Sequence, residues 1–134
     1  MTLVVDASVA VKWLVEEEES ERAFALLRRE RLVAPELVVA EVGNVLWRHF
    51  QVGRLGREQC LEGGAALLEC LDEIYPLSAL ARRATEVAME LSHPLYDCFY
   101  LVLAEELKTE VVTADRRLAE KVRGTAFEAL LRRL

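Results

Sequence analysis

The sequence predicts an α/β fold in which helices cover a parallel β-sheet. Short apolar runs alternate along the chain with longer segments of helical periodicity, which is the pattern of strand–helix alternation. The runs at 3–5 and 32–34 contain no polar residue, as expected of strands buried on both faces. A length of 134 residues with 53% apolar residues suits one compact domain, spanning 1–134, with a substantial core.

The element boundaries follow from caps, breakers and periodicity. Ser8 is the expected N-cap of the first helix, and Ser20 is expected to start the second. Pro35 closes the second strand, and the segment 92–94 interrupts the chain between two helices. A brief edge strand near 126–127 and then a helical tail are expected at the end. The predicted strands are 3–5, 32–34, 74–75 and 110–113, and the predicted helices are 8–14, one starting at 20, 36–50, 57–71, 79–91, 96–107 and 114–122.

Charge and cysteine content exclude several classes of protein. A formal net charge of −6 argues against a general nucleic-acid coat protein, although an enzyme that binds metal through carboxylates is compatible with it. The odd number of cysteines, Cys60, Cys70 and Cys98, and the lack of a C-x-x-C pair argue against disulfides and zinc. We see no signal peptide and no apolar stretch near the roughly 20 residues that span a bilayer, so we expect a cytoplasmic protein without membrane contact.

Two aspartates follow predicted strands directly. Asp6 comes after the apolar run 3–5, and Asp115 comes shortly after the run 110–113. Ligands of open α/β sheets bind at the carboxyl ends of the strands, so both side chains are expected at a functional edge. Each aspartate alone also fits a helix N-cap.

Two further acids lie in apolar surroundings. Glu41 lies among valines on a predicted helix, and Asp97 lies at the start of the strongly apolar helix 96–107, where the helix dipole favours a carboxylate. Glu41 alone also fits a partly exposed helix position. Four acids at one edge would repel one another strongly without a cation. Oxygen ligands suit Mg²⁺ or Mn²⁺ rather than zinc, and such ions support hydrolysis of phosphate esters.

Four segments resemble, in order and spacing, the motifs of PIN domains, and of the VapC-type toxins in particular. The resemblance spans nearly the whole chain, and the four segments together are far more specific than any one of them. They are Val5-Asp6-Ala7-Ser8 for the D-x-S start, Glu41-Val42-Gly43-Asn44 for the E-x-x-N segment, Asp97 before the apolar helix, and Thr113-Ala114-Asp115-Arg116-Arg117-Leu118 for the T-x-D-x-x-L segment.

The resemblance implies a three-layer α/β/α domain with a parallel sheet of about five strands. It implies an Mg²⁺-dependent endoribonuclease, with Mn²⁺ as an alternative ion, that acts as the toxin of a toxin–antitoxin pair. VapC-like proteins usually form homodimers and bind an antitoxin that blocks the site. The metal would be held by Asp6, Glu41, Asp97 and Asp115, and supported through hydrogen bonds by Ser8, Asn44 and Thr113.

Two sets of side chains are candidates for partner contacts. One set is apolar, and any of its tryptophans, phenylalanines or leucine fits the protein core as well. The other set consists of arginines, and any of these fits a solvated surface. Neither His49 nor His93 lies in a nucleophile or ligand pattern, so neither is assigned a role. The first set is Trp13, Leu14, Phe24, Trp47 and Phe50 for an antitoxin groove, and the second is Arg22, Arg28, Arg29, Arg31, Arg48 and Arg54 for RNA phosphates or antitoxin acids.

Other functions remain open on the residues alone. A PIN-like binding module would act through protein or RNA contacts with little catalysis, although all four acids are intact here. A haloacid-dehalogenase-like phosphohydrolase requires D-x-D after its first strand, where this chain has Ser8 in place of the second acid. A receiver domain requires an aspartate after its third strand, where this chain has Tyr75 and Pro76.

Overall fold

Five parallel strands form a single sheet in the order β3-β2-β1-β4-β5, in a computed structural model that describes all 134 residues. Seven α-helices flank the sheet, which confirms the predicted α/β class and the three-layer arrangement. The strands are β1 (Thr2–Val5), β2 (Arg31–Pro35), β3 (Glu73–Tyr75), β4 (Val111–Thr113) and β5 (Leu131–Arg133). The helices are α1 (Ala7–Ala10), α2 (Ser20–Arg29), α3 (Leu37–Gln51), α4 (Arg57–Cys70), α5 (Ala81–Leu91), α6 (Leu95–Leu107) and α7 (Arg116–Val122).

The strand order creates a crevice at the middle of the sheet. The chain begins at β1, moves outward through β2 to β3, and then crosses back to β4 on the other side of β1. In register, Leu3 lies opposite Leu32 and Val5 lies opposite Val112. The order therefore reverses between β1 and β4, which is the topological switch point where ligands bind in open α/β sheets.

The helices cover the sheet according to the direction of each crossover. Right-handed connections place α2, α3 and α4 on one face, and α5, α6 and α7 on the other. The contacts agree, because α6 packs on β1, β2 and β4 while α5 packs on α6, and α3 contacts β2 while α4 packs on α3.

Helix α6 is the central helix of the core. Its residues 98–104 are all buried, from Cys98 to Ala104. These side chains meet the apolar strand β1, where Leu3, Val4 and Val5 have no exposed surface. Burial on all sides explains the uninterrupted apolar run in this segment. It also fixes the first turn of α6 relative to the end of β1.

The start of the first helix differs from the prediction. Asp6, not Ser8, is the N-cap of α1, and its side chain accepts the backbone N–H of Val9. Ser8 lies inside the helix. The α-helix ends at Ala10 and continues only as a 3₁₀ turn, Val11–Trp13. An aspartate directly after a strand is a good helix cap, and here it displaces the serine from that role.

The C-terminal segment also differs from the prediction, with its two elements in the opposite order. Phe127 is buried and begins a 3₁₀ turn, Glu128–Leu130, and the edge strand β5 follows it. β5 pairs with β4, and Arg132 forms an ion pair with Glu110 at 2.7 Å. A strand of three residues with two arginines carries almost no strand periodicity, so the pairing is decided by tertiary contacts.

The two glycines in the middle of α4 have different surroundings. A Cβ added at Gly63 would lie 3.1 Å from Cδ1 of Leu46 on α3, whereas one added at Gly64 would meet nothing within 4 Å. Gly63 therefore lets α3 and α4 approach closely. No helix of the protein combines the length and apolar character needed to cross a lipid bilayer.

The glycine pair provides a matched test of helix packing. Gly64→Ala should raise the free energy of unfolding by about 1 kcal/mol, because alanine is the better helix former. Gly63→Ala should raise it by less, because Leu46 must move to admit the methyl group. Urea denaturation of both variants measures the difference. An equal gain in the two variants would contradict the close packing of α3 on α4.

Candidate active site

The carboxylate of Asp6 lies at the switch point, directly after β1, with only 6% of the residue exposed. Its Oδ1 atom accepts hydrogen bonds from the hydroxyl of Ser8 at 2.6 Å and from the backbone N–H of Val9 at 3.2 Å. Its Oδ2 atom accepts the hydroxyl of Thr113 at 2.5 Å. Thr113 ends β4, so a single carboxylate joins the ends of the two central strands.

The hydroxyls that hold Asp6 also order the start of the segment after β4. The Ser8 hydroxyl accepts the backbone N–H of Ala114 at 2.9 Å. The Thr113 hydroxyl accepts the backbone N–H of Asp115 at 2.9 Å. Each hydroxyl thus uses its single donor on Asp6 and accepts a backbone N–H from the chain after β4. Ser8 and Thr113 therefore lie directly beside Asp6 and hydrogen-bond to it.

Burial makes the Asp6 carboxyl a weaker acid than an ordinary aspartate. Loss of solvation raises its pKa from 3.8 to about 6, and the negative charge of Asp97 adds to this rise. The hydrogen bonds from Ser8, Thr113 and Val9 oppose the rise, since they stabilise the ionised form. No lysine or arginine is paired with Asp6, so a cation at this position would favour its ionised form.

Glu41 reaches the same region from α3. The side chain is half-buried, and its Oε1 atom accepts the hydroxyl of Tyr100 on α6 at 2.5 Å. Burial raises the pKa of Glu41, and the charge of Asp97 raises it further. Tyr100 is itself buried next to Glu41, which raises the pKa of its hydroxyl well above the ordinary value. The tyrosine therefore remains a donor that orients the Glu41 carboxylate.

Asp97 lies in the first turn of α6, where the positive end of the helix dipole favours a carboxylate. Its Oδ2 atom lies 2.6 Å from Nε2 of His93, which precedes the helix by two residues. The contact holds one carboxylate oxygen in place. Asp97 raises the pKa values of Asp6 and Glu41, so its charge acts on both of these acids.

Asp115 is bound differently from the other three acids. It is the N-cap of α7, and its Oδ1 atom accepts the backbone N–H of Arg117 at 2.8 Å. Its link to Asp6 runs through the Thr113 hydroxyl, which also contacts the backbone of Asp115. The cap thus accounts for one oxygen of the side chain, and Oδ2 makes no hydrogen bond.

The structure brings three of the four acids into one electrostatic group and places the fourth beside it. Asp97 acts on Asp6 and Glu41, and all three charges act on the Tyr100 hydroxyl. No three His, Cys, Asp or Glu side chains are close enough to form a ready metal cage. The donors nevertheless fit a hard divalent cation, because they are carboxylate oxygens without a lysine or arginine partner.

Asn44 lies one helical turn after Glu41 and is exposed. Its side chain makes no hydrogen bond to the acids. It lines a cavity of about 220 Å³ together with Ser8 and Glu41. Asn44 therefore lies beside the acids, where a supporting residue is expected, but it makes no hydrogen bond that fixes any of them.

Sequence reasoning missed the roles of Tyr100 and His93. Tyr100 lies three residues after Asp97 on the same helix, and a tyrosine buried in an apolar helix needs a partner for its hydroxyl. His93 lies four residues before Asp97. Both spacings are visible in the sequence. The apolar character of α6 nevertheless favours a core position for Tyr100, and the break before the helix favours a loop position for His93.

The candidate groove residues fall into two groups. Trp13 is 7% exposed and donates its indole N–H to the carbonyl of Ala23, so it belongs to the core, and Leu14 is half-buried. Phe24, Trp47 and Phe50 are exposed. The last two line an apolar groove between α3 and α4.

Comparison with known proteins gives a consistent result over most of the chain. Residues 3–124 match the PIN domain. The chain is 33% identical over 124 residues to Ribonuclease VapC3 of Pyrobaculum aerophilum, covering 90% of this chain and 95% of that protein. It is 35% identical over 118 residues to Ribonuclease VapC9 of Mycobacterium tuberculosis, covering 88% of this chain and 89% of that protein.

A solved structure supports the same relationship. The crystal structure of PAE2754 from Pyrobaculum aerophilum aligns with a TM-score of 0.69 and 26% sequence identity. The alignment covers 93% of this chain and 82% of that one. The five-stranded fold and the sequence similarity thus point to the same family.

The raised pKa of Asp6 predicts a pH dependence of stability in EDTA. The folded state holds the Asp6 proton more tightly than the unfolded state, so this contribution is complete below about pH 4 and is lost as the pH rises through 6. A shift from 3.8 to about 6 corresponds to about 3 kcal/mol. The stability of Asp6→Asn relative to the parent protein should therefore rise by up to that amount between about pH 4 and pH 7.

Chemical denaturation at several pH values in EDTA measures this difference. A constant difference between Asp6→Asn and the parent protein over the whole range would contradict the raised pKa of Asp6.

Proposed function

The chain belongs to the PIN-domain family of nucleases, and we propose that residues 1–134 form one such domain that cleaves RNA with Mg²⁺ as an endoribonuclease. The observation that carries the proposal is the buried Asp6 carboxylate at the switch point, beside Asp97 and Glu41 and without a lysine or arginine partner. The names of the two VapC relatives support RNA as the substrate. We also propose a cytoplasmic location for this activity.

PIN-domain ribonucleases generally depend on divalent metal ions, and the carboxylates of this chain suit one. Asp6, Glu41, Asp97 and Asp115 would hold Mg²⁺, with Mn²⁺ as the alternative ion of similar preference. A bound ion of this kind supplies activation of water and stabilisation of the charge that develops on the phosphate. It also offsets the repulsion between the acids and the RNA backbone.

The protein's own contribution is to hold the acids in fixed positions. The hydroxyls of Ser8 and Thr113 orient Asp6, and the hydroxyl of Tyr100 orients Glu41. His93 orients Asp97. Partners of this kind fix the direction of a ligand's free oxygen, and their loss typically costs about 10-fold to 100-fold in metal affinity or activity.

We further propose that the protein is the toxin of a toxin–antitoxin pair and forms a homodimer. The VapC names of the relatives support the first part, and the resemblance to VapC-type toxins is the basis of the second. The groove between α3 and α4 is the proposed antitoxin surface. It exposes Trp47 by 53% and Leu61 by 55%, a combination that suits an apolar segment of a partner.

Cleavage of a circular single-stranded RNA tests the nuclease proposal, because only an endonuclease cuts a substrate without ends. We expect cleavage with Mg²⁺ or Mn²⁺ and none in EDTA. Asp6→Asn and Asp97→Asn should each lower the rate by about 100-fold or more, since loss of a ligand costs at least as much as loss of its hydrogen-bond partner.

Glu106→Gln, an exposed change at the far end of α6, is the matched control and should leave the rate unchanged. Full activity of both aspartate variants would end the assignment of the site. A parent protein that binds RNA or a partner but cleaves nothing with any divalent ion would instead favour a PIN-like binding module.

Calorimetry with the protein encoded in the neighbouring reading frame tests the antitoxin surface. Trp47→Ser should weaken binding by roughly 30-fold, the effect of losing an aromatic anchor worth about 2 kcal/mol. Met89→Ser is the control, because Met89 is 70% exposed on α5 and lies outside the groove. Equal affinity of the two variants would exclude the α3–α4 groove.

A further inference from the structure

Two neighbouring cavities lie along one side of α3. The smaller one, of about 220 Å³, is the cavity beside the acids that Ser8 and Glu41 line. The larger one, of about 400 Å³, extends toward the end of the helix and is lined by His49 and Arg54. Val45 and Arg48 line both. The two cavities are therefore adjacent, and together they form a path along α3 from the candidate active site toward the end of the helix.

The path follows the register of the helix. Glu41, Val45 and Arg48 are separated by four and then three residues, so they lie along one stripe of α3. Seven residues at about 1.5 Å per residue place Arg48 about 10 Å along the helix from Glu41.

The two arginines on the path are free of ion pairs. Arg48 and Arg54 are exposed and lie within 4 Å of no carboxylate oxygen, although the protein carries a net charge of −6. The acid that lines the same cavity, Glu17, faces Lys12 with Oε1 3.5 Å from Nζ. The path therefore presents unneutralised positive charge directly beside a negative site.

The position of Arg54 is fixed by the turn that ends α3. Gly53 has a φ of +76°, a conformation that glycine adopts without strain. The turn directs the backbone N–H groups of Arg54 and Leu55 to the carbonyl of His49, at 2.8 Å and 3.3 Å. Arg54 is thus held at the end of the path next to His49.

The other candidate arginines do not share these properties. Arg22 is paired with Glu19 at 3.3 Å and Arg31 with Glu73 at 2.6 Å. Arg28 and Arg29 have no ion pair, but they lie in the last turn of α2 and line neither cavity. Position, and not the charge of a single residue, distinguishes Arg48 and Arg54.

We propose that Arg48 and Arg54 bind the phosphates of the RNA strand that leaves the active site along α3, where Val45 and His49 line the same cavity. The inference rests on the proposed function, since it assigns a path to the same substrate. An acidic protein needs local cations to hold a polyanion next to its carboxylates. The antitoxin is the less suitable occupant, because the apolar anchors Trp47 and Leu61 lie in the separate groove against α4.

Binding of a labelled single-stranded RNA to cleavage-deficient protein tests the path. All variants carry Asp6→Asn, and fluorescence anisotropy gives the affinity over a range of salt concentrations. Arg48→Ala with Arg54→Ala should weaken binding and reduce the slope of log K against log salt by about 1.4, or about 0.7 for each phosphate contact with a single strand. Arg28→Ala with Arg29→Ala removes the same charge from α2 and should leave the slope unchanged.

Three results would overturn the proposal. The first is an unchanged slope of log K against log salt in the Arg48/Arg54 variant. The second is an equal loss of RNA affinity in the α2 control. The third is an Arg48/Arg54 variant that loses antitoxin affinity but keeps its RNA affinity. Thermal melting by circular dichroism verifies that each variant is folded. The result is separable from the proposed function, which is tested by RNA cleavage with the parent protein, in which Asp6 is intact.

Discussion

The buried carboxylate of Asp6 is the interaction on which the rest of the site depends. An ionisable group at the centre of a sheet is costly, and loss of solvation raises its pKa to about 6. The hydroxyls of Ser8 and Thr113 offset part of that cost, and in doing so they join the ends of β1 and β4. The fold therefore holds a weakly stabilised negative charge at the point where a ligand enters.

The surrounding helices bring the other acids to this charge by packing alone. The burial of α6 from Cys98 to Ala104 fixes its first turn, and with it Asp97, against the end of β1. Helix α3 contacts β2 and α1, which brings Glu41 to Tyr100. Because each acid comes from a different element, the strength of their mutual repulsion depends on the tertiary packing of the whole domain.

Sequence reasoning reached the sheet, the helices and the four acids because these leave local patterns. Apolar runs followed by aspartate identify Asp6 and Asp115, and helical periodicity identifies the α6 segment. The hydrogen bond from Tyr100 to Glu41 spans 59 residues and leaves no local pattern. The pairing of β5 was also missed, because a tertiary contact and not a local preference decides it. For Asp6 the sequence left a helix cap and a site residue both open, and in the structure the side chain caps α1 through a local hydrogen bond to Val9.

The most direct test of this account is the anomalous scattering of Mn²⁺ bound to crystals of the protein. The account predicts an ion with oxygen ligands from Asp6 and Asp97, close to Glu41, while the hydroxyls of Ser8 and Thr113 still contact Asp6. An active protein whose only bound ions lay on other surfaces, with Asp6 free of metal, would contradict it.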